Sequence, residues 1–107
     1  MPHIRARNVD PALLEARARV LVDRLQEAVG CDRAWFTLEL EASRAIDSGS
    51  GEPVRPYVEV HWFPRPPEAK KAVARILSEE LRGGADYLTT VFFDLAEADY
   101  FENGEPV

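Results

Sequence analysis

Four short stretches of the chain alternate or concentrate apolar residues in the way that β-strands do. They cover residues 2–7, 35–42, 57–63 and 88–95. In the first stretch, Pro2, Ile4 and Ala6 share one side of an extended chain, and the residues between them are basic. The pattern predicts four strands, and the first three should each bury a single face.

Two further segments carry apolar residues at the three- and four-residue spacing of an amphipathic helix. These stripes consist of Leu14, Ala18, Leu21, Leu25 and Val29 in the first segment, and Val73, Ile76, Leu77 and Leu81 in the second. Asp10 is a good N-cap, and Pro11 suits the first helical position, as Pro67 does in the second segment. Gly30 and Gly83 are the expected ends of the two helices.

The order of these elements is β-α-β, a loop, and β-α-β again, which is typical of an internal duplication. The halves span about 2–45 and 55–107, and the glycine- and serine-rich segment 46–56 joins them. Each crossover is long enough to join parallel strands with a right-handed connection. We expect an α+β fold in a single domain over 1–107, with a four-stranded mixed sheet and two helices on one face. The tail 96–107 should form a turn and a small edge strand, with its charges in solvent.

The composition excludes several classes of protein. The net charge is −6, whereas a nucleic-acid-binding protein needs a basic patch. Cys31 is the only cysteine, so no intrachain disulfide can form, and with only His3 and His61 it cannot build a metal cluster. No long apolar run indicates a signal peptide or a membrane span. We therefore expect a cytoplasmic protein without a nucleic-acid or membrane partner.

The sheet face that the helices leave uncovered should carry charges of both signs between large aromatic side chains. Its predicted members are His3, Arg5, Arg7, Trp35, Glu39, Glu41, Tyr57, Glu59, His61 and Phe63. One interpretation is a solvated face with weak cross-strand ion pairs. The favoured interpretation is an interface between copies of the chain, because interfaces are rich in aromatic residues and arginine.

The first residues offer a candidate catalytic group. Proline in second place permits removal of Met1, which would leave Pro2 with a free secondary amine. A terminal amine titrates at about 7.7–8.0, and burial or a nearby cation lowers its pKa further. An amine that titrates near neutral pH is a competent general base. Many chains also begin with Met-Pro without any catalytic use of the proline.

Three segments give the sequence a family resemblance: the opening Pro-His-Ile-Arg-Ala-Arg, the strand Tyr-Val-Glu-Val-His-Trp-Phe at 57–63, and the tail Tyr-Phe-Glu-Asn-Gly-Glu at 100–105. With its duplicated β-α-β order, the chain resembles the tautomerase superfamily, which includes oxalocrotonate tautomerase and macrophage migration inhibitory factor. Within it, the chain is most similar to a small, functionally uncharacterised bacterial family. The resemblance implies a homotrimer with Pro2 in a pocket near a subunit boundary. It also implies proton transfer on a small enol or keto carboxylate, without a cofactor.

The resemblance also points to substrate-binding residues. Arg65 follows the third strand, where several members place pocket groups, and its planar fork suits a substrate carboxylate. Trp35 matches an aromatic residue that lines the pocket. The alternatives are a solvated loop charge for Arg65 and an interface or core aromatic for Trp35. Thr37 and Cys31 stand where other members carry a pocket arginine and a pocket lysine.

These residues leave three functions open. The first is a cofactor-free tautomerase or isomerase, with Pro2 as general base and Arg65 as the carboxylate anchor. The second is a binding or assembly module that keeps the fold without the chemistry, which the missing arginine and lysine favour. The third is a hydratase- or dehalogenase-type reaction, in which Pro2 acts as an acid while Glu39 or Glu59 places the water.

Overall fold

The structure, a computed structural model, describes all of residues 1–107 and contains the predicted order of elements. The elements are β1 (His3–Arg7), α1 (Pro11–Val29), β2 (Thr37–Leu40), β3 (Tyr57–Trp62), α2 (Pro67–Leu81), β4 (Thr89–Asp94), β5 (Phe101–Glu102) and β6 (Glu105–Pro106). Short 3₁₀ turns lie at Arg33–Trp35 and Glu97–Asp99. Neither α-helix is long and apolar enough to cross a membrane.

Four strands form one mixed sheet in the order β2-β1-β3-β4. β1 is parallel to β2 and β3 is parallel to β4, while the two halves of the chain meet where β1 and β3 run antiparallel. A crossover that contains a helix joins the strands of each parallel pair, as parallel pairing requires. The predicted α+β fold with a four-stranded mixed sheet is confirmed.

The core lies between one face of the sheet and the two helices. Its main members are Ile4, Ala6, Val58, Val60 and Trp62 from the strands, and Leu14, Leu21, Leu25, Val73, Ile76, Leu77 and Leu81 from the helices. Buried and half-buried residues alternate along the whole of β3. The two helices leave the other sheet face uncovered, as the alternating pattern predicts.

The helix ends follow from local sequence. The Asp10 side chain accepts a hydrogen bond from the N–H two residues on (3.1 Å), and Pro11 stands in the first turn of α1. Gly30 closes α1 in the left-handed conformation (φ 77°), which favours glycine. Gly83, just beyond α2, has φ 59°, and a Cβ there would lie 2.9 Å from the Leu13 side chain. The predicted starts of both helices and the end of α1 are thus confirmed.

The second strand differs from the prediction at its start. Residues 33–35 form a 3₁₀ turn, so Trp35 lies outside β2, which begins at Thr37. The Asp32 side chain stabilises this turn by accepting a hydrogen bond from the Ala34 N–H (2.9 Å). Local capping by an aspartate competes with strand pairing, and here it prevails over the alternation of 35–42. Trp35 is accordingly a turn residue, and 55% of its surface is exposed.

The tail also differs from the prediction. β5 and β6 pair with each other in an antiparallel hairpin and add no edge strand to the main sheet. Asn103 and Gly104 connect them with φ values of 53° and 80°. Two consecutive positive φ values are what a tight hairpin turn requires, and the Asn-Gly pair adopts them readily. The tail is therefore a self-contained hairpin, named here the C-terminal hairpin.

One carboxylate is buried where the helices meet. Glu80 accepts hydrogen bonds from Arg17 Nε (2.6 Å) and from an Arg24 terminal nitrogen (2.9 Å), and Arg24 also binds Glu79 (2.9 Å). Burial alone would raise the pKa of the Glu80 carboxyl, but the hydrogen bonds and charges of the two arginines outweigh it and hold that pKa below its ordinary value. We call these four residues the helix seam.

Candidate functional site

A cleft of about 250 Å³ opens beside the start of the chain. This amino-terminal cleft is lined by Met1, Trp35, Phe63, Arg65, Tyr100, Glu102 and Val107. The lining comes from the chain start, the 3₁₀ turn before β2, the loop after β3 and the C-terminal segment. The fold therefore brings Arg65 and Trp35, the two predicted substrate-binding residues, beside the residue that precedes Pro2.

Pro2 is fully buried, whereas Met1 is half-buried and lines the cleft. The Pro2 carbonyl accepts a hydrogen bond from the Thr37 N–H (3.1 Å), which anchors it to the start of β2. This anchoring gives the Pro2 nitrogen a defined position where the chain enters the sheet. That nitrogen belongs to the Met1–Pro2 peptide bond, and it becomes an amine only when Met1 is removed.

The groups around the cleft act on the terminal amine of the chain. Partial burial is the largest influence and lowers the pKa of this amine. Cys31 raises that pKa, Arg65 lowers it and Glu102 raises it, and the net shift is downward from the ordinary value. The surroundings of the chain start thus favour a neutral amine, because burial and a nearby cation both oppose protonation.

Arg65 is the cation of the cleft, and it forms no ion pair. It stands between Pro64 and Pro66 in the loop that joins β3 to α2, and its side chain is half-buried. The Arg65 Nε is shielded from solvent and has no hydrogen-bond partner. A shielded guanidinium N–H without an acceptor is unfavourable, and an incoming carboxylate would satisfy it.

The C-terminal segment supplies three lining residues that sequence reasoning did not assign to the site: Tyr100, Glu102 and Val107. The Tyr100 hydroxyl donates a hydrogen bond to Glu102 Oε1 (3.3 Å), and its ring packs edge-on against Phe63 with centroids 5.1 Å apart. Burial and the Glu102 carboxylate raise the pKa of the Tyr100 phenol, which keeps it protonated. Glu102 is exposed, as expected for the tail, yet it lines the cleft. The two-residue spacing of Tyr100 and Glu102 is the signal that places them on one side of an extended segment.

A second cleft of about 360 Å³ lies on the uncovered face of the sheet. This sheet-face cleft is lined by Met1, His3, Arg5, Glu39, His61, Leu95 and Tyr100. Met1 and Tyr100 line both clefts, so these two side chains stand between them. Removal of Met1 would therefore change both clefts at once.

Several polar groups on the uncovered face already have partners within the chain. His61 Nε2 hydrogen-bonds to Glu59 Oε1 at 2.8 Å, as expected for a satisfied strand histidine. The Arg7 guanidinium lies over the Tyr57 ring, 4.4 Å from its centroid, and one of its nitrogens is 4.0 Å from Glu41. These contacts give His61 and Arg7 structural roles on the sheet.

Thr37 and Cys31 occupy the positions where the resemblance leads one to look for pocket cations. The Thr37 hydroxyl hydrogen-bonds to His3 Nδ1, and Cys31 is a half-buried free thiol. Burial lowers the pKa of His3, the terminal amine lowers it further, Glu39 opposes the shift, and His61 adds to it. Neither Thr37 nor Cys31 is a cation, and neither lines the amino-terminal cleft. Arg65 is the only cationic side chain in its lining.

The carboxylates considered for placing a water lie elsewhere. Glu39 lines the sheet-face cleft, and Glu59 is bound to His61. Glu102 is the one carboxylate side chain in the lining of the amino-terminal cleft. No group of three or more His, Cys, Asp or Glu side chains is arranged to hold a metal ion.

Similarity to known proteins decides the family. A family model described as a domain of unknown function, DUF1904, matches residues 1–106. The chain belongs to the DUF1904 family. A crystal structure of a DUF1904 domain from Sebaldella termitidis ATCC 33386 is 31% identical to it, with a TM-score of 0.87 and 97% of each chain covered. Among curated proteins, none matches this DUF1904 chain.

The DUF1904 chain shares its fold with tautomerase-superfamily proteins. A structure described as a fused 4-OT wild-type symmetric trimer is 20% identical to it, with a TM-score of 0.71, and covers 97% of this chain and 94% of its own. A macrophage migration inhibitory factor-like protein from Entamoeba histolytica is 10% identical, with a TM-score of 0.69, and covers 99% of this chain and 98% of its own. Likeness at these identities establishes the fold alone. The predicted tautomerase-like fold is confirmed.

Proposed function

We propose that this DUF1904 protein is a cofactor-free tautomerase or isomerase, in which the Pro2 amine, freed by removal of Met1, acts as general base on a small enol or keto carboxylate. The observation that supports this most is the composition of the amino-terminal cleft. Arg65 and Trp35, which are distant from the chain start in sequence, both line the cleft together with Met1. In the proposal, Arg65 binds the substrate carboxylate and Trp35 provides an apolar wall.

The proposed reaction moves one proton and changes no oxidation state. The neutral Pro2 nitrogen takes the proton of the enol hydroxyl, so the O–H bond breaks and an enolate forms. The enolate carbon then takes the proton from the Pro2 nitrogen, which forms a C–H bond, completes the C=O bond and regenerates the neutral amine. Arg65 holds the carboxylate so that the enol lies within reach of the nitrogen.

Two properties of the cleft support a neutral amine at Pro2. Burial and the Arg65 charge lower the pKa of the terminal amine, which stands one residue in front of Pro2. Pro2 is fully buried with Met1 in place, and the burial that its amine keeps after removal of Met1 disfavours protonation. Arg65 forms no ion pair within the chain, so its guanidinium charge is free to pair with a substrate carboxylate.

A binding or assembly module without chemistry is the second candidate function. It is favoured by Thr37 and Cys31, which replace the pocket cations that the resemblance leads one to expect. In that case the cleft would hold a carboxylate ligand at Arg65 and release it unchanged. Loss of Pro2 would then leave ligand binding intact.

We also propose that the protein assembles as a homotrimer through its uncovered sheet face. The mixture of charged and aromatic residues on that face supports an interface, and Phe93 on it is 40% exposed. The fused 4-OT of similar fold is described as a symmetric trimer. Light scattering should give three times the protomer mass of 12.0 kDa, and a monomer at micromolar concentration would contradict the assembly.

Two measurements test the catalytic proposal. Intact mass spectrometry should show a chain that lacks Met1. The enol–keto conversion of phenylpyruvate, followed by ultraviolet absorbance, should then be at least about 100-fold slower with Pro2→Ala than with the native protein. Equal rates would remove Pro2 from the mechanism, and a retained Met1 would exclude the amine and leave the binding module.

A further inference from the structure

The amino-terminal cleft contains a charged group that the proposed reaction does not use. Arg65 is the only cationic side chain in its lining, and Glu102 is the only anionic one. The two form no ion pair with each other, although both act on the pKa of the terminal amine. The remaining lining side chains are apolar or aromatic: Met1, Trp35, Phe63, Tyr100 and Val107. Apart from the terminal amine, the cleft thus offers one positive and one negative side chain within an apolar wall.

We propose that Glu102 sets the charge of the molecule that the cleft accepts. The ligand is a small molecule with a single carboxylate on an apolar or aromatic body, and a molecule with two carboxylates is rejected. This inference rests on the role of Arg65 as carboxylate anchor in the proposed function. It deepens that proposal by naming the substrate class.

Glu102 is held in the cleft by its neighbours. The Tyr100 hydroxyl donates to Glu102 Oε1 at 3.3 Å, and the Tyr100 ring is itself held edge-on against Phe63. A phenol with an ordinary pKa of 10.0 is a donor at neutral pH, and here burial and the Glu102 carboxylate raise that pKa further. One hydrogen bond thus ties the exposed Glu102 side chain to a residue that lines the same cleft.

The charge of Glu102 brings no evident benefit to the hairpin that carries it. Glu102 in β5 is paired directly across from Glu105 in β6. Like charges opposite each other on two strands destabilise the pair. Glu105 does not line the cleft, so the two glutamates share a hairpin but differ in their access to a bound molecule. This difference makes Glu105 a matched control for Glu102.

Arg65 and Glu102 line the same cleft, so a second carboxylate on a ligand held at Arg65 lies near Glu102. A carboxylate bound to Arg65 is compensated by the guanidinium. A second one, a few ångströms away, would be repelled by Glu102, and between charges so close near a protein surface this repulsion is enough for about a tenfold difference in affinity. Discrimination by repulsion needs no contact beyond those that bind the preferred ligand.

The test uses three acids of one skeleton at pH 7.5, measured by isothermal titration calorimetry with the mature full chain. They are 3-phenylpropionate, phenylsuccinate, and the phenylsuccinate monoamide that keeps the shape but has one carboxylate. The native protein should bind the first and third, and phenylsuccinate at least about tenfold more weakly than its monoamide. In Glu102→Gln the gap should shrink to about threefold or less, whereas Glu105→Gln should keep the native gap. Circular dichroism and thermal melts of both variants show that each keeps the fold.

Each result decides the inference. It is overturned if the native protein binds none of the three acids or does not discriminate, if Glu102→Gln leaves the gap unchanged, or if Glu105→Gln closes it equally. Failure of the proposed function looks different. A protein that leaves phenylpyruvate unconverted but shows the predicted gap is a selective binder, which refutes the tautomerase and supports the role of Glu102. If phenylsuccinate and its monoamide bind equally well while conversion of phenylpyruvate depends on Pro2, only the role of Glu102 is refuted.

Discussion

The helix seam and the amino-terminal cleft both contain arginine and glutamate, but the two regions use them in opposite ways. In the seam, the buried Glu80 accepts hydrogen bonds from Arg17 and Arg24 at 2.6 and 2.9 Å. In the cleft, Arg65 and Glu102 line the same space without forming an ion pair, and the Arg65 Nε has no partner. The first region pairs its charges with one another, and in the second the arginine and the glutamate have no charged partner.

This difference separates residues that stabilise the fold from residues that are available for binding. A buried carboxylate with several charged hydrogen bonds contributes to stability, and removing it leaves its partners uncompensated. An unpaired guanidinium contributes little to the free energy of unfolding. It lowers that free energy when one of its N–H groups is shielded from water without an acceptor. The predictions below test whether the two regions separate in this way.

The largest expected effect is on the helix seam. Glu80→Gln keeps the shape of the side chain but removes the charge that two arginines share, and it should lower the free energy of unfolding by about 2–3 kcal/mol. Glu79→Gln is the matched control, since Glu79 is largely exposed and binds Arg24 alone, and it should lose less than about 1 kcal/mol. Urea unfolding measures both. Equal losses would show that the buried position of Glu80 has no special weight.

The contribution of the helix seam to stability should also be lost in acid. The pKa of Glu80 is lower in the folded protein than in the unfolded chain, so its contribution is complete above the ordinary carboxyl pKa of 4.5 and is lost as the pH falls through the folded value. The difference in unfolding free energy between native protein and Glu80→Gln should therefore be constant near pH 7 and shrink below about pH 4.5. A difference that grows on acidification would contradict the sign of the shift.

The cleft should show the reverse pattern. Arg65→Gln removes the anchor and should weaken binding of 3-phenylpropionate by about 10- to 100-fold, because a charged hydrogen bond to a carboxylate is worth roughly 1.5–3 kcal/mol. Its unfolding free energy should stay within about 0.5 kcal/mol of the native value. Arg55→Gln is the control for loss of an arginine outside the cleft: the Arg55 Nε also lacks a partner, while its terminal nitrogen binds Glu52 at 3.1 Å. Unchanged binding in Arg65→Gln, or equal weakening in Arg55→Gln, would remove Arg65 from the site.

The sequence predicts the strands, the helices and their ends better than it predicts the amino-terminal cleft. Strand faces and helix caps are set by neighbouring residues, so Ile4, Asp10 and Gly30 could be placed from local pattern alone. The cleft is assembled from four segments that are distant in sequence. The residues that the tail contributes depend on where the C-terminal hairpin packs against the rest of the chain. The spacing of Tyr100 and Glu102 indicates only that they share one side of the tail and not what that side faces, so the charge of Glu102 was expected in solvent. Arg65 and Trp35 were found through family resemblance and not through periodicity.

Trp35 shows that a single capping residue can end an element where the alternation of apolar residues predicts that it continues. The alternation of 35–42 predicts a strand, and alternation is a signal averaged over several residues. Asp32 is a single residue, yet its side chain closes the turn 33–35 and takes Trp35 out of the strand. Short caps decide the ends of elements, where periodic patterns carry least information.

The smallest expected effect compares two aspartates with the same local geometry. Asp10 and Asp32 each accept a hydrogen bond from the N–H two residues on, at 3.1 and 2.9 Å. Asp10 opens the long helix α1, and Asp10→Ala should lower the unfolding free energy by about 1 kcal/mol. Asp32 opens only the three-residue turn that carries Trp35, so Asp32→Ala should change stability by less than about 0.5 kcal/mol.

The Asp32 variant should nevertheless act on the cleft, because a looser turn leaves Trp35 less well positioned against a bound molecule. We expect Asp32→Ala to weaken 3-phenylpropionate binding by about threefold, and Asp10→Ala to leave binding unchanged at a temperature where both variants are folded. Tryptophan fluorescence should report the same distinction, since Trp62 is fully buried and Trp35 is exposed. If Asp10→Ala perturbs binding as much as Asp32→Ala, then the cleft depends on the stability of the whole fold, and the separation between the two regions does not hold.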